Sequence, residues 1–400
     1  MSEAFGNFAT RVRSDRGWWV AIAAIALALI YPFIVETLQD LPLVGDFVPR
    51  TGSMVVMLVF TMMAVGLNVV VGYAGLLDLG YVAFYAAGAY VAGWFASLQF
   101  AQVSFHFGSS VSNEQPGIHI SMWLVLLLAG AFTLIVGILI GLPTLRLRGD
   151  YLAIVTLGFG EIIPQVVRNA DEEGIGFDLT NGTFGIAPID SVAIGDFIFR
   201  AEPNKDDLHY WTAIGLLLFT VFCCVRLRDS RLGRAWIAIR EDETAAAAMG
   251  VPLMRTKTWS YAIGAFFGGV AGAFYASYKA GAFPADFFFN ISIFLLCMVI
   301  LGGIGSIWGV ILGGMILGYL NIEGLATIGS KVQDAGVEFD PTKYQFGIYG
   351  AIIVTMMLFR PTGLIPERRH KIELEEGVHD TPFYDVQTEG SLTDRNPSDE

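Results

Sequence analysis

Apolar stretches of membrane-crossing length, separated by short polar ones, dominate the chain. Nearly charge-free runs of about 18–25 residues recur along it, and as a helix each is long enough to cross a hydrocarbon core of about 30 Å. About ten such runs lie near residues 17–36, 52–72, 79–99, 121–142, 150–168, 210–226, 257–279, 287–303, 306–322 and 345–360. The pattern predicts an all-α, polytopic integral membrane protein. Two pairs of runs are separated only by glycine-rich gaps, at Gly72–Asp78 and Gly302–Gly305, where a broken or re-entrant helix is expected. Three regions follow: an N-terminal segment at 1–16, a membrane domain at 17–366, and a polar, acidic tail at 367–400 too poor in apolar residues to fold.

Positive charge orients the spans. Arg and Lys collect at Arg11, Arg13 and Arg16, at Arg146 and Arg148, through the 226–257 loop, and again after Arg360. Residues 100–120 carry none, and 169–209 carry Arg200 and Lys205 against nine acids. Cytoplasmic loops hold the excess of basic residues, so both termini are expected inside a cell (plasma or inner) membrane.

Composition supports the same class. Charged residues make up 15% of the 400, where a soluble domain has about 25%, and the net charge of −13 comes mainly from the 169–209 segment and the tail. The 46 glycines suit helices packed closely in lipid. Cys223, Cys224 and Cys297 sit in apolar runs without metal or disulfide spacing, and the five histidines are scattered. The chain has no phosphate-binding Gly-x-x-x-x-Gly-Lys-Ser/Thr loop, no HExxH and no GxSxG, so it is expected to be neither an ATPase nor a hydrolase.

Four segments carry candidate chemistry. Within the 226–257 loop, IAIREDETAAAAMG is a strong helix former stopped by Gly250 and Pro252. Two readings stand: a helix that docks another protein, with Ala245, Ala246 and Ala248 as its small face, or one lying on anionic lipid. In residues 66–93, Asp78 sits among apolar residues. With Asn68 and Tyr73 it either lines a translocation path or caps a helix N-terminus near the surface. In residues 145–167, Thr156 and Glu161 lie within a span as candidates for the translocation path, and Pro164 should kink it. Glu161 lines a conduit or pairs with a polar group across helices, and is expected in a protein-lined setting. Thr180, Asn181 and Gly182, in LTNGTFGI, are expected to form a tight outer turn.

These segments resemble a known family. Glu243, Ala245, Ala246 and Gly250 resemble the Glu-Ala-Ala…Gly loop of ABC importer permeases, with one residue more between Glu243 and Gly250 than the common form. LGRAWIAIREDE (Leu232 to Glu243, with Gly233, Arg234, Arg240, Glu241 and Asp242), GLNVVVGYAGLLDLGYVAFYAAGAYVAG and RLRGDYLAIVTLGFGEI are similar to branched-chain amino acid permeases of the LivM family. So are VILGGIGSIWG and FRPTGLIP, and the likeness covers roughly residues 55–366. LTNGTFGI resembles the family's Thr-Gly-Gly-Pro-Asn-Gly stretch, departing at Asn181 and at Thr183–Phe184, and the resemblance would imply an outer gate or receptor contact there. The resemblance implies ten helices in two related halves and import of leucine, isoleucine and valine. It implies a homologous second permease subunit, two ATP-binding subunits, one of which receives the 226–257 loop, and an extracytoplasmic solute-binding protein. This chain would bind no cofactor, ATP being held by the partners, and no nucleic acid. Urea or short amides as substrate, or an ion-coupled secondary transporter using Asp78 or Glu161, are the other readings.

Overall fold

The computed structural model describes residues 25–40, 45–108, 115–147, 149–194, 197–201, 205–334 and 340–365. The expectations for the N-terminal segment and the acidic tail lie outside these residues.

A helix stands at each predicted run. Helix α1 covers Ile25–Gln39. Then come α2 (Thr51–Asn68), which passes into a π-turn at Val69–Tyr73, α3 (Val82–Phe95), α4 (Met122–Thr144), α5 (Asp150–Arg168) and a one-turn α6 (Glu172–Ile175). The second half holds α7 (Lys205–Asp229), α8 (Arg231–Glu241), α9 (Glu243–Ala248), α10 (Leu253–Lys279), α11 (Asn290–Gly302), α12 (Ile307–Tyr319), α13 (Leu325–Asp334) and α14 (Gln345–Phe359). Among the described residues, six helical stretches are long and apolar enough to cross a membrane, with Ile25–Gln39 and Val82–Phe95 as shorter apolar helices, so the count of about ten spans is not confirmed. Helix α3 has 14 residues, about 21 Å at 1.5 Å per residue, so it crosses only part of the core. Helix α5 is one continuous element with Pro164 inside it.

Short strands trim the bundle. β1 (Ala96–Ser97) pairs antiparallel with β3 (Ile118–Ile120), which pairs parallel with β2 (Phe105–Phe107). β4 (Ala193–Ile194) pairs antiparallel with β5 (Phe197–Ile198). This small sheet brings together two of the histidines expected to be scattered: the rings of His106 and His119 stack at 5.2 Å, and His119 Nδ1 lies 2.7 Å from Asp190 Oδ2. Burial pushes the Asp190 carboxyl above its ordinary range, against the opposing pull of His119 and Arg200.

The core forms around α10, which packs against both α2 and α3. Their apolar residues are buried almost all round, which leaves little amphipathic pattern. Glycine decides how close the helices come. A Cβ at Gly88 would overlap the backbone of Gly269, and one at Gly272 would overlap the Tyr85 carbonyl, so α3 and α10 cross backbone to backbone. Tyr81, whose hydroxyl donates to the Gly264 carbonyl at 2.8 Å, closes the same crossing.

Candidate functional site

The two glycine-rich gaps, far apart in sequence, meet in space. The chain leaves α2 through the π-turn and runs non-helically to Tyr81 before α3 begins. Asn68, fully buried at the last turn of α2, accepts a hydrogen bond from Gly305 N at 2.9 Å, in the gap between α11 and α12. Gly72 lies between them with no room for a Cβ, which would collide with the Asn68 amide oxygen and crowd Gly305 N. The FRPTGLIP segment pins the second gap, with Leu364 N and Ile365 N donating to the Leu301 and Gly302 carbonyls at 3.0 and 3.1 Å.

Side chains from four helices hold the first gap. Ser260 of α10 donates to the Val69 carbonyl at 2.9 Å. Thr156 of α5, fully buried, accepts from Leu79 N at 3.0 Å and donates back to Ala153 O at 3.1 Å. Ser292 of α11 accepts from Val82 N at 2.9 Å. Arg240, at the end of α8, donates to the Gly72 carbonyl at 2.6 Å. Asp78 is 1% exposed, and its Oδ1 accepts from Gly80 N at 2.8 Å, two residues before α3. The expected cap near the surface is not met: Asp78 bonds within the gap and is buried, and α3 begins after Tyr81 without a side-chain cap. Tyr73 is buried beside it in the chain. Asn68, Tyr73, Asp78 and Thr156 therefore belong to one junction of broken helices.

Glu161 does not join them. It lies exposed on α5, on a stripe with Tyr151, Ile154, Gly158 and Gln165, opposite the buried face of Leu152, Thr156, Gly160 and Val167. The expected protein-lined setting is absent within this chain, because Glu161 sits on the outward stripe of an amphipathic helix, where no other element of the described chain covers it.

The polar segment between α7 and α10 forms two helices where the sequence suggested one. Asp242 is extended (φ −151°, ψ 108°) and its Oδ1 accepts from Thr244 N at 2.7 Å and Ala245 N at 3.0 Å. An N-cap acid therefore ends α8 and starts α9, against the helix propensity of the run. Ser230 caps α8 in the same way through Gly233 N at 3.2 Å. Trp236 is buried and donates to Thr256 O at 2.7 Å. Glu243 pairs with the buried Lys257 of α10 at 2.8 Å. Ala246 also packs inward, so the small outward face consists of Ala245, Ala247 and Ala248, not Ala246 as expected, with Glu241 and Arg234 exposed nearby. Gly250 ends α9 at φ +84° with nothing within 4 Å of a Cβ position.

The Thr180–Gly182 turn is knit to α5 and α3. Thr180 donates to Val167 O at 2.7 Å, Asn181 and Gly182 adopt left-handed backbone, and Asn181 Nδ2 donates to Gly185 O at 2.9 Å. Trp94 of α3 reaches Leu179 O at 2.8 Å. The sequence singled out neither Ser292 nor Ser260, and nothing in their local context marks either as a partner of a distant gap.

A bundle of apolar helices, broken at two facing gaps and carrying a capped polar appendage, is the architecture of a multi-pass membrane protein. The chain belongs to the family described as branched-chain amino acid transport system / permease component, which matches residues 50–357. It is similar to the high-affinity branched-chain amino acid transport system permease protein LivM of Escherichia coli (strain K12), 33% identical over 376 residues, covering 89% of this chain and 77% of that one. It is also similar to the probable LivM protein of Methanocaldococcus jannaschii, 29% identical over 265 residues, covering 64% of this chain and 71% of that one. The LivH permease of Escherichia coli (strain K12) is 30% identical over 154 residues, 38% of this chain and 44% of that one. No solved structure matches.

Proposed function

We propose that the chain is the membrane-spanning subunit of an ATP-driven importer of leucine, isoleucine and valine. Its membership of the permease family, together with the names of its relatives, carries this reading. Its likeness to both LivM and LivH permeases favours a homologous second permease subunit as partner, with the translocation path between the two. Of two ATP-binding subunits, one docks on α8–α9, and an extracytoplasmic solute-binding protein delivers the substrate at the opposite face, where Thr180–Gly182 sits. Alternating access then follows from the different affinities of ATP and loaded receptor for the inward- and outward-open states. The membrane domain is residues 17–366, and both termini lie inside. Impermeant reagents should label a cysteine placed at Phe105 in intact cells and spare one at Met249; the reverse pattern would sink the orientation.

Glu161 supports a path between subunits. A carboxylate facing lipid at the middle of a helix costs about 2.5–3.5 kcal/mol on insertion scales, so the exposed stripe of α5 is better placed against a wet path or the second subunit. The reconstituted complex should hydrolyse ATP faster with receptor loaded with leucine, isoleucine or valine than with empty receptor or with urea. Stimulation by urea alone would replace the substrate assignment. In the same assay Glu161→Leu should reduce transport several-fold; full transport and assembly would remove Glu161 from the path.

A further inference from the structure

The docking segment grips the chain at two different places. Its body is tied to the start of α10, through Trp236 to Thr256 O at 2.7 Å and through Glu243 to Lys257 at 2.8 Å. Arg240 reaches elsewhere, donating to the Gly72 carbonyl in the π-turn at 2.6 Å. The carbonyls at a helix end have no intrahelical donor and carry the negative end of its dipole, so a permanently charged guanidinium is their natural partner. The stem of Arg240 also lies against Gly75, at φ +68°, where a Cβ would sit 3.0 Å from Arg240 Cγ. On its other side the same turn abuts the second gap, through Asn68 and Gly305 at 2.9 Å. Arg240 stands two residues before Asp242, whose cap sets where α9 begins, so a shift of α9 reaches Arg240 through two residues of backbone. Beyond Gly72 the chain to Tyr81 lacks the continuous ladder of helical hydrogen bonds that stiffens its neighbours, so it can take up a displacement.

We propose that Arg240 is a positioning residue that transmits motion of the ATPase-docking segment into the π-turn at Gly72, and through it into the junction of the two broken helices. The proposal rests on the docking role read for α8–α9. It makes Arg240 a strut between energy input and path, distinct from the outward face of Ala245, Ala247, Ala248 and Met249 that meets the partner.

The test uses the full complex with receptor. Two quantities are read: substrate transported per ATP hydrolysed, and the ATP-dependent change in labelling of Leu77→Cys, a position in the gap that is 39% exposed, in a Cys223→Ser background. Arg240→Met keeps the stem and loses the donors. It should lower the transport ratio about tenfold, within the range of ordinary allosteric couplings, and abolish the labelling response to ATP. Arg240→Lys keeps charge and one donor group without the planar fork and should fall in between. It also carries the test if the methionine variant does not assemble. A wild-type ratio together with a wild-type labelling response in Arg240→Met, or in Arg240→Lys where that is the assembled variant, overturns the proposal. Cross-linking of Met249→Cys to an ATP-binding subunit tests docking separately. Its absence sinks the docking role, whereas cross-linking with an unaltered ratio and an unaltered labelling response sinks the Arg240 strut alone.

Discussion

Gly88→Leu should leave little folded protein in the membrane, the largest effect expected of a single substitution here. Helices α3 and α10 touch backbone to backbone, and a Cβ at Gly88 would occupy the space of the Gly269 carbonyl and Cα. Overpacking a core commonly costs about 1–3 kcal/mol when side chains can give way, but a backbone atom of a buried helix cannot. The two helices would have to separate. That would open the crossing sealed by Tyr81 on Gly264 and by the edge-to-face pair of Phe84 and Tyr261, 5.4 Å apart. Against a total stability of about 5–15 kcal/mol, such a loss removes most of the native population. The comparison is Gly215→Leu, on α7, where a Cβ meets nothing within 4 Å. Purified yield and thermal stability in detergent decide it: a stable, monodisperse Gly88→Leu protein would mean that α3 and α10 do not meet as described.

How much of this the sequence discloses depends on the range of the physics. A helix in lipid must satisfy its own backbone, so charge-free length alone locates the runs that become α2, α4, α5 and α7, to within a few residues at most ends. Glycine clusters mark Gly72–Asp78 and Gly302–Gly305 as gaps for equally local reasons. That the gaps face each other through Asn68 and Gly305, and that Thr156, Ser260 and Ser292 hold the first of them, is long-range pairing that no spacing reveals. Propensity misleads at Asp242, where a capping side chain divides a run of good helix formers. Burial misleads at Glu161. An acid in a span implies cover, but a single chain need not supply it. The family resemblance of residues 55–366 names the class correctly, yet it does not say that Glu243 turns inward to Lys257 while Ala245 and Met249 face out.

Gly250→Leu should uncouple ATP hydrolysis from the receptor while leaving the membrane domain intact. Gly250 sits at φ +84°, a conformation that costs an L-residue about 1–2 kcal/mol. It turns the chain from α9 into Val251 and Pro252, the latter capping α10. A leucine meets no neighbouring atom there, so the effect is carried by the backbone and not by a clash. Relief of the strain rotates the turn, and with only six residues in α9 a small rotation swings its whole outward face, Met249 included, which is 85% exposed. The cap at Asp242 and the Glu243–Lys257 pair hold the other end of α9, so the displacement concentrates at the tip that would meet the ATP-binding subunit. No buried contact of the bundle is touched, so yield and thermal stability should stay close to wild type. Receptor-stimulated hydrolysis in the reconstituted complex should fall about tenfold or more, the size of a typical coupling free energy. A segment that merely rests on anionic lipid behaves differently. It would tolerate Gly250→Leu and respond to loss of the exposed Arg231 and Arg234, each worth about 1 kcal/mol at a charged surface. Full stimulation in Gly250→Leu, with the ATP-binding subunits still attached, would refute the coupling role. A loss confined to the arginine variants would assign α8–α9 to the lipid surface instead.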